Sequence, residues 1–346
     1  MKLLNDQLQG LGPVLVTGGA GYIGGQTVLC LIDAGVSVVV VDNLSTGRKQ
    51  AFHDQTNFYE GNIGNQAFMA EVLARHDIKS ILHFAGSIRV DVSIANPLKY
   101  YENNTEYSRR LISAAVDADV ERIIFSSTAA VYGGVKDDSP VTESHKAAPL
   151  NPYGWSKLMT EQTLRAVSTA KNLQIGILRY FNVAGADPQL RHGQYLENPV
   201  HLIGRAINAG LGLATPLEIY GNKLATPDGT GVRDYIHVFD LAQAHLASLA
   251  YLCRGQGNLL LNLGYGTGHS VMEVLDSIQR VTGFEVPHKL AAARTGEAAS
   301  VVADVSLLHQ TLDWSPAYDE LDIITQSAYS WMTRMPQNTP NTTQVS

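Results

Sequence analysis

A tyrosine and a lysine four residues apart are the leading candidates for chemistry in this chain. The segment Tyr153-Gly154-Trp155-Ser156-Lys157 follows Pro152 and begins a predicted helix over Tyr153–Lys171. Residues at positions i and i+4 share one helix face, so the phenol and the ammonium project together. A free phenol has a pKa of about 10, and nearby positive charge favours its ionised form. The pair could therefore act as a base that takes a hydroxyl proton while a hydride leaves the same carbon.

A hydroxyl cluster adds weight to this pair, which on its own would more often be helix surface. Ser126-Ser127-Thr128 directly follows the predicted strand Arg122–Phe125. Ligands of parallel sheets bind at the carboxyl ends of the strands. A hydroxyl at that place could hydrogen-bond a substrate oxygen and relay its proton to the tyrosine.

The elements that must position these groups alternate between two hydrophobic periods. Short β-branched runs are typical of strands buried on both faces of a parallel sheet, and they occupy Val14–Val16, Val36–Val41, Asn57–Tyr59, Ile78–Phe84, Arg122–Phe125 and Ile175–Leu178. The segments between them predict helices over Tyr22–Ala34, Gln66–Arg75, Pro97–Asp117 and Tyr153–Lys171. This alternation predicts an α/β fold with a doubly wound Rossmann-type parallel sheet.

A glycine-rich turn joins the first predicted strand to the first helix. Its sequence is Thr17-Gly18-Gly19-Ala20-Gly21-Tyr22-Ile23-Gly24. Glycines at 18, 21 and 24 permit a tight turn, close approach of a pyrophosphate and close helix–sheet packing, and the helix N-terminus offers N–H groups to the phosphates. Asp42 stands 18 residues past Gly24, where a ribose-binding acid is expected. The acid favours NAD because it would repel the 2′-phosphate of NADP, although the nearby Arg48 leaves NADP as an alternative cofactor.

The alternation of strands and helices becomes less regular after residue 182, and this change predicts the domain organisation. We expect residues 1–182 to form the cofactor-binding domain, with 238–264 returning to its sheet as a helix and a strand. Residues 183–237 and 265–335, with their clustered Gly, Pro and Asn, are expected to form a smaller mixed α/β substrate lobe. The polar residues 336–346 are expected to be a mobile tail.

Composition excludes several classes of protein. The chain has 346 residues, with 25 basic and 32 acidic side chains and a formal net charge of −7. This balance argues against a nucleic-acid or anionic-membrane partner, and no apolar stretch approaches the roughly 20 residues that span a bilayer. Cys30 and Cys253 lie far apart, which excludes a disulfide scaffold and suits a reducing compartment. With no secretory pattern in the first residues, we expect a cytoplasmic protein.

With these motifs the sequence resembles the extended short-chain dehydrogenase/reductase family, and within it the UDP-glucose (UDP-galactose) 4-epimerases. The similarity runs over residues 13–335. Besides the glycine turn and the Tyr-x-x-x-Lys pair it includes Asp42–Leu44, His83–Gly86, Phe125–Gly133, Arg179–Asn182 and Asp228–Val238. The last of these blocks is long and highly specific.

The resemblance implies a nucleotide-sugar 4-epimerase with a tightly bound, reused NAD. Tyr153 would deprotonate the sugar 4-hydroxyl while hydride passes to NAD, and the 4-ketosugar would turn over and take the hydride back on its other face. Thr128 would lie beside the substrate oxygen, and Lys157 would hold the nicotinamide ribose and tune Tyr153. The family commonly forms homodimers through two helices, which here would be Pro97–Asp117 and Tyr153–Lys171.

The resemblance also implies two sets of contacts. The cofactor set is Gly18, Gly21, Tyr22, Ile23, Gly24, Asp42, Asn43, Asn62, Ile63, Phe84, Ala85, Gly86, Asn103, Tyr153, Lys157 and Phe181. The UDP-sugar set is Thr128, Asn182, His201, Leu202, Glu218, Ile219, Tyr220, Arg233, Arg294 and Glu297. The planar fork of arginine suits a diphosphate, and Tyr220 could pack against uracil.

Several alternatives stay open at this point. Val301 falls where certain members carry a bulky residue, so a UDP-N-acetylhexosamine is one alternative substrate, and UDP-uronates or UDP-pentoses are others. A 4,6-dehydratase is disfavoured because Ala129 and Ala130 supply neither an acid nor a base. A non-catalytic sensor of NAD or nucleotide sugars would not need Thr128, Tyr153 and Lys157. His237, Asp240 and His245 are interpreted as structural residues, and no metal is expected.

Overall fold

The computed structural model describes residues 7–48, 55–134, 139–195, 199–293 and 298–334. The strands in these ranges are β1 (Val14–Thr17), β2 (Val38–Asp42), β3 (Thr56–Glu60), β4 (Ser80–His83), β5 (Arg122–Thr128), β6 (Gln174–Tyr180), β7 (Asn182–Ala184), β8 (Leu217–Tyr220), β9 (Val232–His237), β10 (Leu259–Leu263), β11 (Gly268–Ser270), β12 (His288–Ala291) and β13 (Ser300–Val301). The expected tail, residues 336–346, lies outside the described residues.

The helices of the same ranges follow in chain order. They are α1 (Tyr22–Asp33), α2 (Gln66–Arg75), α3 (Val90–Ala95), α4 (Pro97–Tyr100), α5 (Tyr107–Asp117), α6 (Pro152–Ala170), α7 (Leu202–Gly210), α8 (Val238–Cys253), α9 (Val271–Thr282), α10 (Ser306–Thr311) and α11 (Leu321–Arg334). A π-helical segment, Tyr101–Glu106, joins α4 to α5, and a 3₁₀ turn, Ala129–Tyr132, follows β5. Among the described residues, no helix is long and apolar enough to span a bilayer.

A seven-stranded sheet carries the candidate site. Its order is β10-β6-β5-β4-β1-β2-β3, and every neighbouring pair is parallel. The valines of β1 and β2 are fully buried, as expected for strands covered on both faces. Apolar side chains of α1 and α8 cover one face of the sheet, while those of α2, α5 and α6 cover the other. The predicted doubly wound Rossmann-type α/β fold is confirmed.

Some predicted strand bounds are wrong, because helix ends use the first residues of the expected strands. After Gly35, whose φ is +76°, the N–H of Val36 donates to the carbonyl of Leu31, so β2 begins only at Val38. In the same way, the N–H of Ile78 donates to Leu73 O at the end of α2. Strand β3 is half-exposed rather than buried on both faces, because it is the edge strand.

The predicted helix Pro97–Asp117 is interrupted by the π-helical segment. There the carbonyl of Asn104 accepts hydrogen bonds from the hydroxyls of Ser108, at 2.6 Å, and Thr160, at 3.0 Å. Hydroxyls of α5 and α6 therefore bind the backbone of the π-helical segment. Helix α3, just before this segment, was missed by the sequence analysis.

Smaller sheets and helices follow β6. Strand β9 pairs in parallel with β7 and β13 and antiparallel with β11, and β8 pairs in parallel with β12. Helices α7, α9 and α11 pack together around a cluster that includes Ile207, Ile278 and Ile324. In the chain, α8 and β10 come between β9 and β11. They lie on the main sheet, where β10 pairs with β6. The short strand β7 thus leads directly from the end of β6 into the mixed region.

Candidate active site

The glycine turn forms a cradle at the carboxyl edge of β1. Gly18 has a φ of +69°, and a Cβ placed on it would lie 2.5 Å from the backbone nitrogen of Ala85. A Cβ on Gly24 would collide with the carbonyl oxygen of Gly18. Gly21 precedes α1 without a side-chain cap, and the first turn of α1 has no acidic residue. The N–H groups of this turn can therefore donate hydrogen bonds to an anion. This cradle fits the pyrophosphate of a dinucleotide.

Asp42 lies at the end of β2, beside this cradle. Its two carboxylate oxygens accept hydrogen bonds from the N–H groups of Ala20, at 2.9 Å, and Leu44, at 2.8 Å. Burial raises the pKa of Asp42, and these two hydrogen bonds oppose the rise. Each oxygen keeps a further lone pair, so the carboxylate can still accept a hydroxyl of a ribose.

The other predicted cofactor residues follow the ends of the strands. Asn43 and Asn62 use their side-chain carbonyls within local turns, where they accept from the N–H groups of Ser45 and Gly64. The remaining positions after β3, β4 and β6 are Ile63, Phe84, Ala85, Gly86 and Phe181. Tyr22 and Ile23 occupy the first turn of α1, and the phenol of Tyr22 donates to Gly185 O at 2.6 Å.

Gly86 and the π-helical segment bring the cofactor side close to α6. A Cβ on Gly86 would lie 3.2 Å from Oδ1 of Asn104 and 3.4 Å from Nζ of Lys157. Asn103 donates through Nδ2 to the Ser87 hydroxyl at 3.0 Å. Asn104 and Ser87 were not predicted, since only the folded π-helical turn brings them to the site.

Tyr153, Lys157 and Thr128 meet at the carboxyl end of β5. Tyr153 is buried beside the Thr128 side chain, and its ring packs edge-on against Tyr100 with centroids 6.5 Å apart. Lys157 is 3% exposed. Its Nζ donates to the carbonyl oxygen of Ser126 at 2.9 Å and lies 4.9 Å from the Phe125 ring centroid.

The balance of charge differs from the one expected from the sequence. Burial raises the pKa of Tyr153 to about 12, and the Thr128 side chain only partly opposes this. Burial likewise lowers the pKa of Lys157 to about 8, against the opposing charge of Glu161. The protein's own groups therefore keep the phenol protonated, because desolvation outweighs the favourable contacts. Further positive charge beside the phenol is needed to make it a base.

The predicted substrate residues lie on the smaller sheets and their flanks. Asn182 on β7 is paired with Tyr235 on β9. Nη1 of Arg233 donates to the carbonyls of Val232, at 2.8 Å, and Ala298, at 3.1 Å.

On β8, the carboxylate of Glu218 accepts from the phenol of Tyr220 at 3.0 Å and lies 3.1 Å from Nζ of Lys289. Ile219 between them is buried. His201 precedes α7 and Leu202 begins it, while Arg294 and Glu297 lie outside the described residues.

The three polar residues that could suggest a metal have protein partners. His237 Nε2 lies 3.0 Å from the Ser327 hydroxyl, and His245 Nδ1 lies 2.8 Å from Leu241 O. The carboxylate of Asp240 accepts from the Tyr265 phenol at 2.7 Å. Within the described part of the chain, no group of three His, Cys, Asp or Glu side chains has the arrangement of a metal site.

Comparison with known proteins identifies the family. The model of the NAD dependent epimerase/dehydratase family matches residues 14–264. The chain belongs to this family. The extended short-chain dehydrogenase/reductase resemblance and NAD as the cofactor are thereby confirmed, in agreement with the glycine cradle and with Asp42.

Individual members of the family resemble the chain over nearly its full length. It is 46% identical over 335 residues to the UDP-glucose 4-epimerase of Azospirillum brasilense, covering 97% of this chain and 96% of that protein. The UDP-glucose 4-epimerase of Brucella ovis in complex with NAD is 40% identical, with a TM-score of 0.90 over 92% of this chain and 98% of that one. The enzyme of Bifidobacterium longum in complex with NAD⁺ and UDP is 36% identical, with a TM-score of 0.87 over 94% and 99%.

Proposed function

We propose that this member of the family is an isomerase, a UDP-glucose/UDP-galactose 4-epimerase. One observation carries the proposal: a buried phenol, Tyr153, lies beside the Thr128 side chain and one helical turn from the buried ammonium of Lys157. The pair lies at the same sheet edge as the glycine cradle. The UDP-glucose 4-epimerases that resemble the chain over nearly its full length support the choice of substrate.

The residues of the chain would act as follows. NAD, when bound, supplies the chemistry of accepting hydride from carbon 4 of the sugar and returning it. Tyr153 takes the proton of the 4-hydroxyl and gives it back, and Thr128 holds the reacting oxygen by a hydrogen bond. Lys157 contributes its positive charge beside Tyr153 and binds ribose hydroxyls. Burial of the site excludes water from the ketosugar.

The substrate would lie between the main sheet and the smaller sheets. We propose that 183–237 and 265–335 form the lobe that binds the UDP-sugar, while 1–182 and 238–264 form the cofactor domain. Arg233 would pair with the diphosphate, and Tyr220 with Glu218 would border the uracil. Asn182, His201, Leu202 and Ile219 complete the proposed lining among the described residues, and Arg294 and Glu297 are proposed with them.

The test is conversion of UDP-galactose by purified protein without added NAD. We expect UDP-glucose to form until the two sugars reach equilibrium, because the hydride returns in every turnover. NADH that accumulates in step with added NAD would identify a dehydrogenase instead. Absence of any conversion by protein that retains NAD would favour a sensor.

Sugar breadth is tested in the same assay. Val301 pairs with Arg233 across β13 and β9, and it packs against the buried cluster that includes Phe181. A small side chain at this position supports testing UDP-N-acetylglucosamine as a second substrate. Conversion of UDP-galactose alone would reject the N-acetylhexosamine alternative.

We further propose a homodimer. The outer faces of α3, α4 and α6 carry exposed apolar side chains, whose exposure is 65% for Ile94, 78% for Leu98 and 42% for both Trp155 and Met159. The helices that carry these side chains pack against one another, and exposed apolar patches mark interaction surfaces. They lie on the two predicted contact segments or directly beside them. A cytoplasmic location stays a prediction.

A further inference from the structure

A third ionisable residue continues the row of Tyr153 and Lys157 along α6. Glu161 follows Lys157 by four residues, so the three side chains occupy successive turns of one helix face. Burial deepens along the row, with exposures of 8% for Tyr153, 3% for Lys157 and 0% for Glu161. Glu161 therefore lies directly behind the lysine, away from the substrate side.

The carboxylate of Glu161 is held by three donors. The Ser127 hydroxyl donates to its Oε1 at 2.5 Å, and Arg179 donates through Nε at 2.9 Å and Nη2 at 2.5 Å. The guanidinium of Arg179 also lies 4.8 Å from the Tyr132 ring centroid. Both carboxylate oxygens are thus engaged, in a bidentate, charge-assisted contact with Arg179.

Stability alone does not explain such a pair. Apolar residues of similar volume often serve as well as a buried ion pair, because desolvation offsets the attraction between the charges. A pair placed one helical turn behind a catalytic lysine has a second effect, since its nearer charge acts on that lysine through a medium of low dielectric.

Lys157 has few other partners among the described residues. Its polar acceptor is the Ser126 carbonyl. Burial, together with the smaller effect of the Lys157 charge, lowers the pKa of His83 on β4 to about 3. Glu161 is the described carboxylate whose charge opposes the burial of Lys157. The phenols of Tyr153, Tyr100 and Tyr180 are uncharged, because burial raises the pKa of each.

We propose that Glu161 is a positioning residue that holds Lys157 in its ammonium form beside Tyr153, while Arg179 limits how much of that negative charge reaches the lysine. The inference rests on the proposed function, because the ammonium matters only if Tyr153 acts as the base. The requirement for a charged lysine explains why the chain keeps an ion pair in this part of its core.

The direct test is the titration of Lys157 itself. Protein labelled with ¹³C at the lysine ε-carbon is titrated by NMR, and the signal missing from Lys157→Met is assigned to Lys157. We expect Glu161→Gln to move the Lys157 titration to lower pH by about one unit or more, because the opposite charge nearby is lost. We expect Arg179→Gln to move it to higher pH, because the positive charge that offsets Glu161 is lost.

The opposite signs separate a charge effect from general damage. Loss of packing would shift the Lys157 titration in the same direction in both variants, whereas a charge effect shifts it in opposite directions. Shifts in the same direction, or no shift in either variant, would overturn the proposal. In Glu161→Asp, which keeps the charge, Lys157 is expected to titrate at nearly the same pH as in the unchanged protein.

A double variant covers the case in which the single variants do not fold. Glu161→Gln combined with Arg179→Gln leaves neither charge unpaired. We expect Lys157 in this double variant to titrate at lower pH than in the unchanged protein. Where Glu161→Gln also folds, the double variant should show the smaller shift of the two. An unchanged titration in the double variant would also overturn the proposal.

Activity gives the second measurement. The alkaline limb of UDP-galactose turnover is expected to move with the Lys157 titration, to lower pH in Glu161→Gln and to higher pH in Arg179→Gln. If the unchanged protein does not convert UDP-galactose, the proposed function fails, whereas the NMR titration still decides whether Glu161 acts on Lys157. A titration that shifts while the alkaline limb stays fixed would overturn the role in the reaction.

Discussion

The ammonium of Lys157 on α6 donates a hydrogen bond of 2.9 Å to the carbonyl oxygen of Ser126 on β5. This contact ties the helix that carries Tyr153 to the strand that carries Thr128. It also fixes a charged group where little water reaches it. The burial that strengthens the effect of the Lys157 charge on a phenolate therefore also lowers the free energy of unfolding.

That cost has a pH dependence with a definite sign. The pKa of Lys157 is about 8 in the folded protein, against 10.5 for a lysine in water. Between these pH values the unfolded chain holds a proton that the folded protein has released, so the free energy of unfolding rises with pH. The full difference corresponds to about 3 kcal/mol.

We expect the free energy of unfolding, measured with urea, to include this rise between about pH 7 and about pH 10.5 in the unchanged protein. We expect Lys157→Met to lack it. Lys79→Met is the matched control, since Lys79 pairs with Asp77 on the surface and its removal should leave the rise in place. Parallel stability curves for the unchanged protein and Lys157→Met would contradict a lowered pKa for this lysine.

Loss of the phenol oxygen is the second prediction. Tyr153→Phe keeps the ring and its edge contact with Tyr100 but removes the proton acceptor. UDP-galactose turnover should fall by about 100-fold to 10,000-fold, the usual range for general acid–base catalysis. NAD content, measured after denaturation, should be unchanged.

The control for this variant is Tyr329→Phe on α11, a half-buried tyrosine whose ring packs against Phe284. Its activity should match that of the unchanged protein. Near-normal turnover by Tyr153→Phe would remove Tyr153 from the mechanism.

Parts of this site could be predicted from the sequence because local rules govern them. The spacing of Tyr153 and Lys157 fixes a shared helix face, and the place of Asp42 after the glycine turn follows from one strand–helix–strand unit. The acceptor of Lys157 could not be predicted, because it is a backbone carbonyl brought near by the packing of α6 on β5. Glu161 had a visible signal, its position four residues after Lys157, although its partner Arg179 is 18 residues further along.

The charge balance could not be weighed from the sequence. Proximity of an ammonium to a phenol suggests a lowered tyrosine pKa, whereas burial raises it. Which effect dominates depends on desolvation in the folded protein. The substrate residues were similarly out of reach of spacing rules, because Asn182, Glu218 and Arg233 belong to three different strands.

The third prediction concerns the glycine cradle. Gly18→Ala combines a left-handed backbone with a Cβ 2.5 Å from the backbone of Ala85. We expect loss of bound NAD and a fall in the free energy of unfolding greater than the roughly 1–2 kcal/mol of the left-handed conformation alone.

Gly283→Ala isolates the backbone effect in this comparison. Gly283 follows α9 with a φ of +80°, and a Cβ there meets nothing within 4 Å. This variant should lose stability and keep its NAD. If Gly18→Ala retained NAD to the same extent, the close approach of the turn to the backbone of Ala85 would not matter for cofactor binding.

The fourth prediction tests the proposed homodimer. Leu98→Asp places a charge at the most exposed large apolar side chain of the surface formed by α3, α4 and α6. Burial of that carboxylate between two subunits would be costly, so light scattering after size exclusion should show monomers in place of dimers. Leu290→Asp on β12 is the control, because Leu290 is 60% exposed outside this surface. An unchanged mass for Leu98→Asp would place the subunit contact elsewhere, and equal dissociation in both variants would point to a general effect of added charge.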